Sequence, residues 1–114
     1  MREFSYDELC RSATNAAGIL QGKWRIPIFC ALQGGPVRLG QLVRLIPTAS
    51  KKVLAENLRE LQGNGMLVRT DLSETLLHVE YDYSEGFRAT MTAVLVSLAV
   101  MGELRLQVPL ETKK

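Results

Sequence analysis

The chain has 114 residues, of which 46% are hydrophobic and 23% are charged, and its 14 Lys and Arg against 12 Asp and Glu give a formal net charge of +2. This length supports one domain with a single hydrophobic core, and the near-average composition excludes collagen-like, disordered and disulfide-scaffold proteins. Two cysteines without an N-terminal signal-peptide pattern indicate the reducing cytoplasm, and the small net charge, taken whole, hardly suggests a nucleic-acid binder.

A capping signal marks the start of the first predicted helix. In the Ser-Tyr-Asp-Glu sequence at positions 5–8, the Ser5 hydroxyl and the Glu8 carboxylate can accept hydrogen bonds from free N–H groups of the first turn. Leucine and alanine then recur at helical spacing until Gly22, which is well placed to end the helix. The alanine-rich face allows close approach of another helix.

A second and a third helix are predicted on either side of a glycine-proline break. The second covers residues 23–32 and has Pro27 in its first turn, where a missing N–H costs little. The break is the Gln-Gly-Gly-Pro sequence at positions 33–36. The third helix carries an apolar stripe that ends at Pro47 and consists of Leu39, Leu42, Val43 and Ile46.

The fourth predicted helix has an apolar face and a polar face. Ser50 is a good N-cap residue, and Leu54, Leu58 and Leu61 fall on one side of a helical wheel. The opposite side carries Lys52, Ala55, Glu56 and Arg59. Glycines at positions 63 and 65 end the helix.

After this helix the periodicity changes from helical to alternating. Residues 66–70 form a short apolar run, and residues 77–83 alternate apolar or aromatic side chains with His78, Glu80 and Asp82. A period of two with β-branched and aromatic residues predicts a half-buried strand. The polar link between the two runs makes them a β-hairpin.

The last predicted helix begins after Ser84, which can cap it, and is apolar on two sides. One side carries Phe87, Met91, Val94, Leu98 and Met101, and the other carries Ala89, Ala93, Val96 and Val100. Residues 89–102 are uncharged, but they are fewer than the roughly 17–25 needed to cross a bilayer, so we expect a soluble protein with this helix buried on more than one side. One small domain cannot bury both sides by itself, which predicts a homodimer.

Two helices followed by a hairpin, in this order, predict a winged helix-turn-helix domain. The third helix would brace the fourth, whose outward face would enter the major groove of DNA with the hairpin, or wing, beside it. An ordered series of motifs supports this: Gly22-Lys23-Trp24, Gly35-Pro36, Leu39-Gly40-Gln41-Leu42, Ser50-Lys51-Lys52-Val53-Leu54, Asn57-Leu58-Arg59-Glu60-Leu61, Gly65-Met66-Leu67-Val68-Arg69-Thr70 and Val79-Glu80-Tyr81. In this series the chain resembles the bacterial HxlR-type regulators, relatives of the MarR group, over residues 10–103.

The resemblance implies an α+β fold, mostly helical with a two-stranded wing, in a homodimeric DNA-binding transcriptional regulator. Residues 1–114 would form one winged helix-turn-helix domain, with dimerisation helices at 5–22 and 85–106, the helix-turn-helix at 38–62 and the wing at 66–83. Two-fold symmetry would present two fourth helices, about 34–36 Å apart, to an inverted repeat. The implied DNA contacts are Arg38, Ser50, Lys51, Lys52, Ala55, Glu56 and Arg59.

The wing departs from the family in its charge. Family members usually carry prolines and a basic residue ahead of the Val-Glu-Tyr motif, where this chain has Leu76, Leu77 and His78. Residues 38–69 contain six Lys or Arg and two Glu, a net charge of +4, whereas residues 70–86 contain five acids and no Lys or Arg, a net charge of −5. Because phosphate repels acids, three interpretations stay open: the wing tips away from the duplex, the protein binds DNA weakly, or the wing serves another partner.

The cysteines and the single tryptophan have competing interpretations. Some HxlR-type relatives sense oxidants or electrophiles through a cysteine in the N-terminal helix, and Arg11 would favour a reactive thiolate at Cys10. The alternative for Cys10 is a small apolar filler at the dimer interface. Trp24 is expected in the core rather than in an effector pocket, and Cys30 is expected to be structural.

The sequence predicts neither an enzyme nor a bound cofactor. His78 is the one histidine and has no metal-ligand spacing to the cysteines, and no glycine-rich phosphate loop is present. We expect a cytoplasmic DNA-binding regulator whose operator occupancy responds to an unidentified ligand, to thiol oxidation or to protein level alone. The rival hypotheses are a protein-interaction module whose acidic wing binds a partner and which does not read DNA, and a small-molecule-binding dimer without DNA activity.

Overall fold

A computed structural model describes residues 2–109, which fold into five α-helices, one short 3₁₀ turn and two antiparallel strands. In chain order these are α1 (Tyr6–Leu20), α2 (Arg25–Ala31), the 3₁₀ turn (Leu32–Gly34), α3 (Leu39–Leu45), α4 (Lys51–Gly63), β1 (Leu67–Asp71), β2 (Val79–Tyr83) and α5 (Phe87–Gln107). The predicted winged helix-turn-helix is confirmed, with α3 and α4 as the helix-turn-helix and the β1–β2 hairpin as the wing.

α1 begins with the predicted capping box. The Ser5 hydroxyl accepts a hydrogen bond from the Glu8 backbone N–H (3.2 Å), and a Glu8 carboxylate oxygen accepts one from the Ser5 backbone N–H (3.0 Å). The pKa of the Glu8 carboxyl lies below its ordinary value, mainly because its carboxylate accepts the hydrogen bond from the Ser5 backbone N–H. The hydrogen bond with the Ser5 side chain lowers this pKa further. α1 ends at Leu20, and Gly22 then turns the chain with a φ of 112°.

The hydrophobic core lies between α2, α3, α4 and the base of the wing. Leu54, Leu58 and Leu61 are fully buried, as their helical spacing predicted. Each leucine buried in this way stabilises the fold by about 1.5–3 kcal/mol. The other fully buried side chains are Ile28, Phe29, Leu32, Leu42 and Leu67. Because these leucines hold one side of α4 in the core, the side chains on the opposite side of the helix face solvent.

The wing is fastened to the helices at its base. β1 and β2 pair antiparallel, with Arg69 opposite Tyr81. The backbone of Val37, just before α3, exchanges two hydrogen bonds of 2.8 and 2.9 Å with the backbone of Tyr81. The buried Tyr83 hydroxyl donates to the Phe29 carbonyl oxygen (2.6 Å), and burial raises the pKa of this phenol. These contacts set the position of the wing relative to α2 and α3.

The tip of the wing is longer than predicted. An Asp71 carboxylate oxygen accepts a hydrogen bond from the Ser73 N–H (2.8 Å), and the Ser73 hydroxyl accepts one from the His78 N–H (2.8 Å). One backbone hydrogen bond, from the Leu72 N–H to the His78 carbonyl oxygen (2.7 Å), accompanies these side-chain bonds, and together they form the turn. The second strand therefore begins at Val79, and Leu77, which we predicted to lie in it, is 76% exposed at the tip.

Ser84 does not cap α5, contrary to the prediction. Its hydroxyl donates instead to the Gly65 carbonyl oxygen (2.6 Å), in the turn that precedes β1. α5 is entered through Gly86, whose φ of 90° is the left-handed conformation that favours glycine. The Ser84 side chain thus ties the two ends of the wing together, and Gly86 makes the turn into the helix.

α5 is mostly exposed within one protomer. Only Met91 of α5 is buried there, and α1 buries none of its residues. The prediction that α5 is buried on two sides concerned the homodimer, and a single protomer buries only the side that carries Met91. The core reaches α5 at Met91 and Val94, whereas Val96, Val100 and Met101 stay exposed. By length and composition alone, α5 is long and apolar enough to cross a membrane. Most of its apolar surface is therefore left uncovered within a single protomer.

Candidate nucleic-acid interface

The start of α4 is a positively charged helix end. The Ser50 hydroxyl accepts a hydrogen bond from the Val53 N–H (3.1 Å) and caps the first turn, as predicted. The remaining free N–H groups and the helix dipole attract anions at this end. Lys51 and Lys52 add two exposed cations, and the first turn contains no acid. This combination suits a phosphate group.

The outward face of α4 presents the predicted side chains together. Lys52, Glu56 and Arg59 are exposed and Ala55 is half-buried. Their spacing of three and four residues places them on one side of the helix, opposite the buried leucines. Lys and Arg can donate to guanine, a carboxylate can accept from the cytosine amino group, and a methyl group can contact thymine. This face has the chemistry needed to read base edges.

An open groove of about 380 Å³ lies beside α4, between the start of α3 and the wing. Three cations line it from three different elements, namely Arg38 before α3, Lys51 on α4 and Arg69 on β1. The Arg38 guanidinium donates to the Leu77 carbonyl oxygen at 3.0 Å, which holds this side chain against the wing tip. The other lining residues are Leu39, Gly40, Leu77, Val79 and Tyr81. The groove therefore extends the positive charge of α4 toward the wing.

Arg69 is the one of these three cations that was not among the DNA contacts predicted from the sequence. It pairs with Tyr81 across the hairpin, and cross-strand partners lie on the same face of a sheet. In the sequence β1 was recognised only as a short apolar run, which does not say which of its faces meets the helices. The backbone pairing of Val37 with Tyr81 decides this, and it turns Arg69 toward the groove.

Two of the five acids in residues 70–86 lie on the face of the wing opposite the groove. Glu80 and Asp82 alternate with Tyr81 and therefore point away from the groove. Asp82 forms an ion pair with Arg88 of α5, and a Glu80 carboxylate oxygen lies 2.9 Å from a ring nitrogen of His78. The net charge of −5 therefore overstates the repulsion that a phosphate in the groove would meet.

Asp71 is a wing acid on the groove face, at the tip end of β1. Hydrogen bonds from Ser73 hold the pKa of the Asp71 carboxyl below its ordinary value, so it stays charged near neutral pH. Arg69 lies two residues away on the same face and offsets part of this charge.

The cysteines and Trp24 occupy three different environments. Cys10 is an exposed free thiol on α1. Cys30 is also exposed, contrary to its expected structural position, because α2 directs Ile28 and Phe29 into the core and residue 30 falls on the outer side. Trp24 packs half-buried against the core, as expected, and the Lys23 ammonium lies 5.0 Å from the centroid of its ring.

Other chemistry has little support in the described part of the chain. Within residues 2–109, no three His, Cys, Asp or Glu side chains cluster as metal ligands would. The His78 ring contacts a carboxylate of the wing rather than a cysteine or a serine hydroxyl within the same residues.

Sequence comparison relates the chain to helix-turn-helix regulators. A family model described as HxlR-like helix-turn-helix matches residues 19–108. The uncharacterized HTH-type transcriptional regulator YtcD of Bacillus subtilis (strain 168) is 34% identical over 84 residues, which span 74% of this chain and 66% of YtcD. The HTH-type transcriptional regulator YodB of the same organism is 35% identical over 77 residues, which span 68% of this chain and 69% of YodB.

Solved structures show the same fold. The reduced form of YodB superposes with a TM-score of 0.71 at 32% identity, over 80% of this chain and 88% of that chain. YodB has also been solved after diamide treatment and in a quinone-bound form. The redox regulator HypR in its reduced form superposes with a TM-score of 0.73 at 25% identity, over 81% of this chain and 90% of that chain.

Proposed function

The chain belongs to the family of HxlR-like helix-turn-helix proteins and is a DNA-binding transcriptional regulator; we propose that it acts as a cytoplasmic homodimer on an inverted repeat in double-stranded DNA. The similarity to named regulators favours this function over a protein-interaction module or a ligand-binding dimer that does not read DNA. We infer no enzymatic activity.

The observation that carries the proposal is the convergence of positive charge at the start of α4 and in the groove beside it. In the proposed complex α4 lies in the major groove, while the loop before α3 and the wing follow the DNA backbone. Phosphate contacts would set the register of the protein, and base contacts would set its specificity. We assign base contacts to Lys52, Ala55, Glu56 and Arg59, and backbone contacts to Arg38, Ser50, Lys51 and Arg69.

The uncovered apolar surface of the terminal helices supports the homodimer. α1 and α5 together bury one residue within a protomer, and α5 exposes a run of large apolar side chains. Those with at least 48% exposure are Val96, Val100, Met101, Leu104 and Leu106. A second copy packed on them in two-fold symmetry would remove this surface from water. Burial of apolar surface stabilises a complex by about 25 cal/mol per Å². It would also explain an apolar α5 without a membrane.

Substitutions on the outward face of α4 test the base contacts. Lys52→Ala and Arg59→Ala should each weaken binding at least about fivefold, because a good base contact contributes about 1–3 kcal/mol. Fluorescence anisotropy of a labelled operator gives the affinity, and sedimentation gives the dimer mass, which should not change. Lys23→Ala removes an exposed cation between α1 and α2 and should bind as the wild type does. Unchanged affinity in both α4 variants would contradict the assignment.

The class of function is tested by the DNA that the protein selects. Selection from random duplexes should enrich an inverted repeat, and affinity for it should fall steeply as salt increases, because phosphate contacts release counterions. No binding to any duplex at low salt would favour the protein-interaction module instead.

Cys10 supports a second proposal, that oxidants or electrophiles alter DNA binding. It is an exposed free thiol on a helix that we assign to the dimer interface. HypR is described as a redox regulator, and YodB has been solved in diamide-treated and quinone-bound forms. Diamide should modify Cys10, as read by mass spectrometry, and change operator affinity in the wild type and in Cys30→Ser but not in Cys10→Ser. An unmodified Cys10 would indicate a filler at the interface.

A further inference from the structure

Arg25, the first residue of α2, reaches two other helices with three separate hydrogen bonds. Its Nη1 donates to the Ile19 carbonyl oxygen at the end of α1 (3.0 Å). Its Nε donates to Asn57 Oδ1 (2.7 Å) and its Nη2 to Glu60 Oε1 (2.5 Å), both on α4. The Arg25 side chain is only 12% exposed, so water competes little for its contacts with Ile19 and Asn57, whereas the Glu60 side chain is 64% exposed.

Local structure does not explain a cation at this position. The N-terminus of a helix is its positive end, where Arg25 is disfavoured by the dipole of α2. The positive φ of Gly22 turns the chain between α1 and α2, so that the guanidinium returns to α1. There it satisfies the Ile19 carbonyl, one of the last four in α1 that lack a partner within the helix. The reason for an arginine here lies in the contacts between helices.

The two contacts on α4 constrain the rotation of that helix. Asn57 and Glu60 lie one turn apart on the flank of α4, between its buried leucines and its outward face. The Asn57 amide also donates to the Val53 carbonyl oxygen (2.9 Å), which fixes the side chain that Arg25 grips. A planar guanidinium held at two points resists both rolling and sliding of α4, as a single point contact would not.

We propose that Arg25 is a positioning residue that sets the angle of α4 relative to α1, and through it the spacing of the two half-sites that the homodimer reads. The inference rests on the proposed function, in which α1 belongs to the dimer interface and α4 enters the major groove. In each protomer, Arg25 then holds α4 at a defined angle and distance from the two-fold axis of the dimer. A rival explanation is that Arg25 only cancels the negative charge of Glu60 near DNA.

The experiment measures preference for half-site spacing. The wild-type operator, selected from random DNA, is compared with duplexes whose centre is lengthened or shortened by one base pair, which moves one half-site by about 3.4 Å and rotates it by about 34°. The wild type should prefer its own spacing by about tenfold or more. Arg25→Met should reduce this preference to about threefold or less. Lys23→Met, the matched loss of one cation two residues earlier, should keep the wild-type preference.

Further variants separate positioning from charge and from folding. Arg25→Lys keeps the charge but not the planar, three-point contact, and it should not restore the preference. Adding Glu60→Gln to Arg25→Met should not restore it either. Should Arg25→Met fail to form a folded dimer, Asn57→Ala removes one of the three contacts and should weaken the preference in the same direction.

Two results would overturn the inference. One is a spacing preference as sharp as the wild type in folded Arg25→Met, or in Asn57→Ala where it replaces that variant. The other is recovery of the preference when Glu60→Gln is added, which would show that Arg25 acts by charge alone. Neither result would contradict the proposed function, because that function is tested by a separate measurement. It is wrong if the wild type binds no duplex at low salt.

Discussion

Replacing Arg69 with alanine should flatten the salt dependence of DNA binding. Each phosphate that the protein neutralises contributes about −0.9 to the slope of log affinity against log salt concentration. A homodimer presents Arg69 twice, so the variant should lose about 1.8 from the magnitude of this slope. Between about 50 and 200 mM salt, the affinity ratio of wild type to variant should therefore shrink by roughly 12-fold.

The variant is well suited to this measurement because Arg69 is exposed and lies outside the core. Its removal should leave the wing folded and the dimer intact, which circular dichroism and sedimentation can check. Anisotropy titrations of the selected operator at several salt concentrations give the slope. Glu80→Gln changes the charge of the same hairpin on the opposite face, where it should leave the slope within about 0.5 of the wild type.

Two outcomes would refute the reasoning. If Arg69→Ala keeps the wild-type slope, Arg69 does not neutralise phosphate and the groove is not part of the interface. If Glu80→Gln changes the slope as much as Arg69→Ala does, the wing acts through its total charge, and the division into two faces has no functional meaning.

Three further predictions concern the elements that support the interface. Leu58→Ala should destabilise the fold by about 2–5 kcal/mol in urea titrations, and a loss below about 1 kcal/mol would show that α4 is not anchored as described. Ser50→Ala should cost about 1 kcal/mol and also weaken DNA binding, whereas a stability unchanged in thermal melts would mean that the cap is not formed. Because the pKa of Glu8 is lowered in the folded chain, its stabilising effect is present above the ordinary value of 4.5 and is lost as pH falls through the lower folded value. Acidification should thus reduce helicity more in the wild type than in Glu8→Gln, and equal losses would argue against the capping box.

Features with a local physical cause were predictable from the sequence. The Ser5–Glu8 capping box depends on residues three apart, and the buried stripe of Leu54, Leu58 and Leu61 depends on helical periodicity. The order of helices and hairpin was sufficient to predict the winged helix-turn-helix. The prediction was wrong at Ser84, because its hydroxyl can hydrogen-bond either to the first turn of α5 or to a distant backbone group. In the structure it donates to the Gly65 carbonyl oxygen and does not cap α5.

The candidate site was only partly predictable, for the same reason. Lys52, Glu56 and Arg59 follow from the face of one helix opposite its buried stripe, so their common orientation was foreseen. Arg69 was not, because its orientation depends on the register of β1 with β2 and on the pairing of the wing with Val37. Those are contacts between segments far apart in sequence.

By itself, the sequence determined the order of the helices and strands, the identity of the core face of α4 and the uneven charge, +4 over residues 38–69 and −5 over residues 70–86. Only the tertiary structure decided where those charges point, how far α5 extends beyond the core, and that Arg25 joins α1 to α4. Periodicity and capping are properties of neighbouring residues, whereas the direction of a charge is set by how separate elements pack. For this reason the net charge of residues 70–86 suggested repulsion from DNA, whereas the fold turns Glu80 and Asp82 away from the groove.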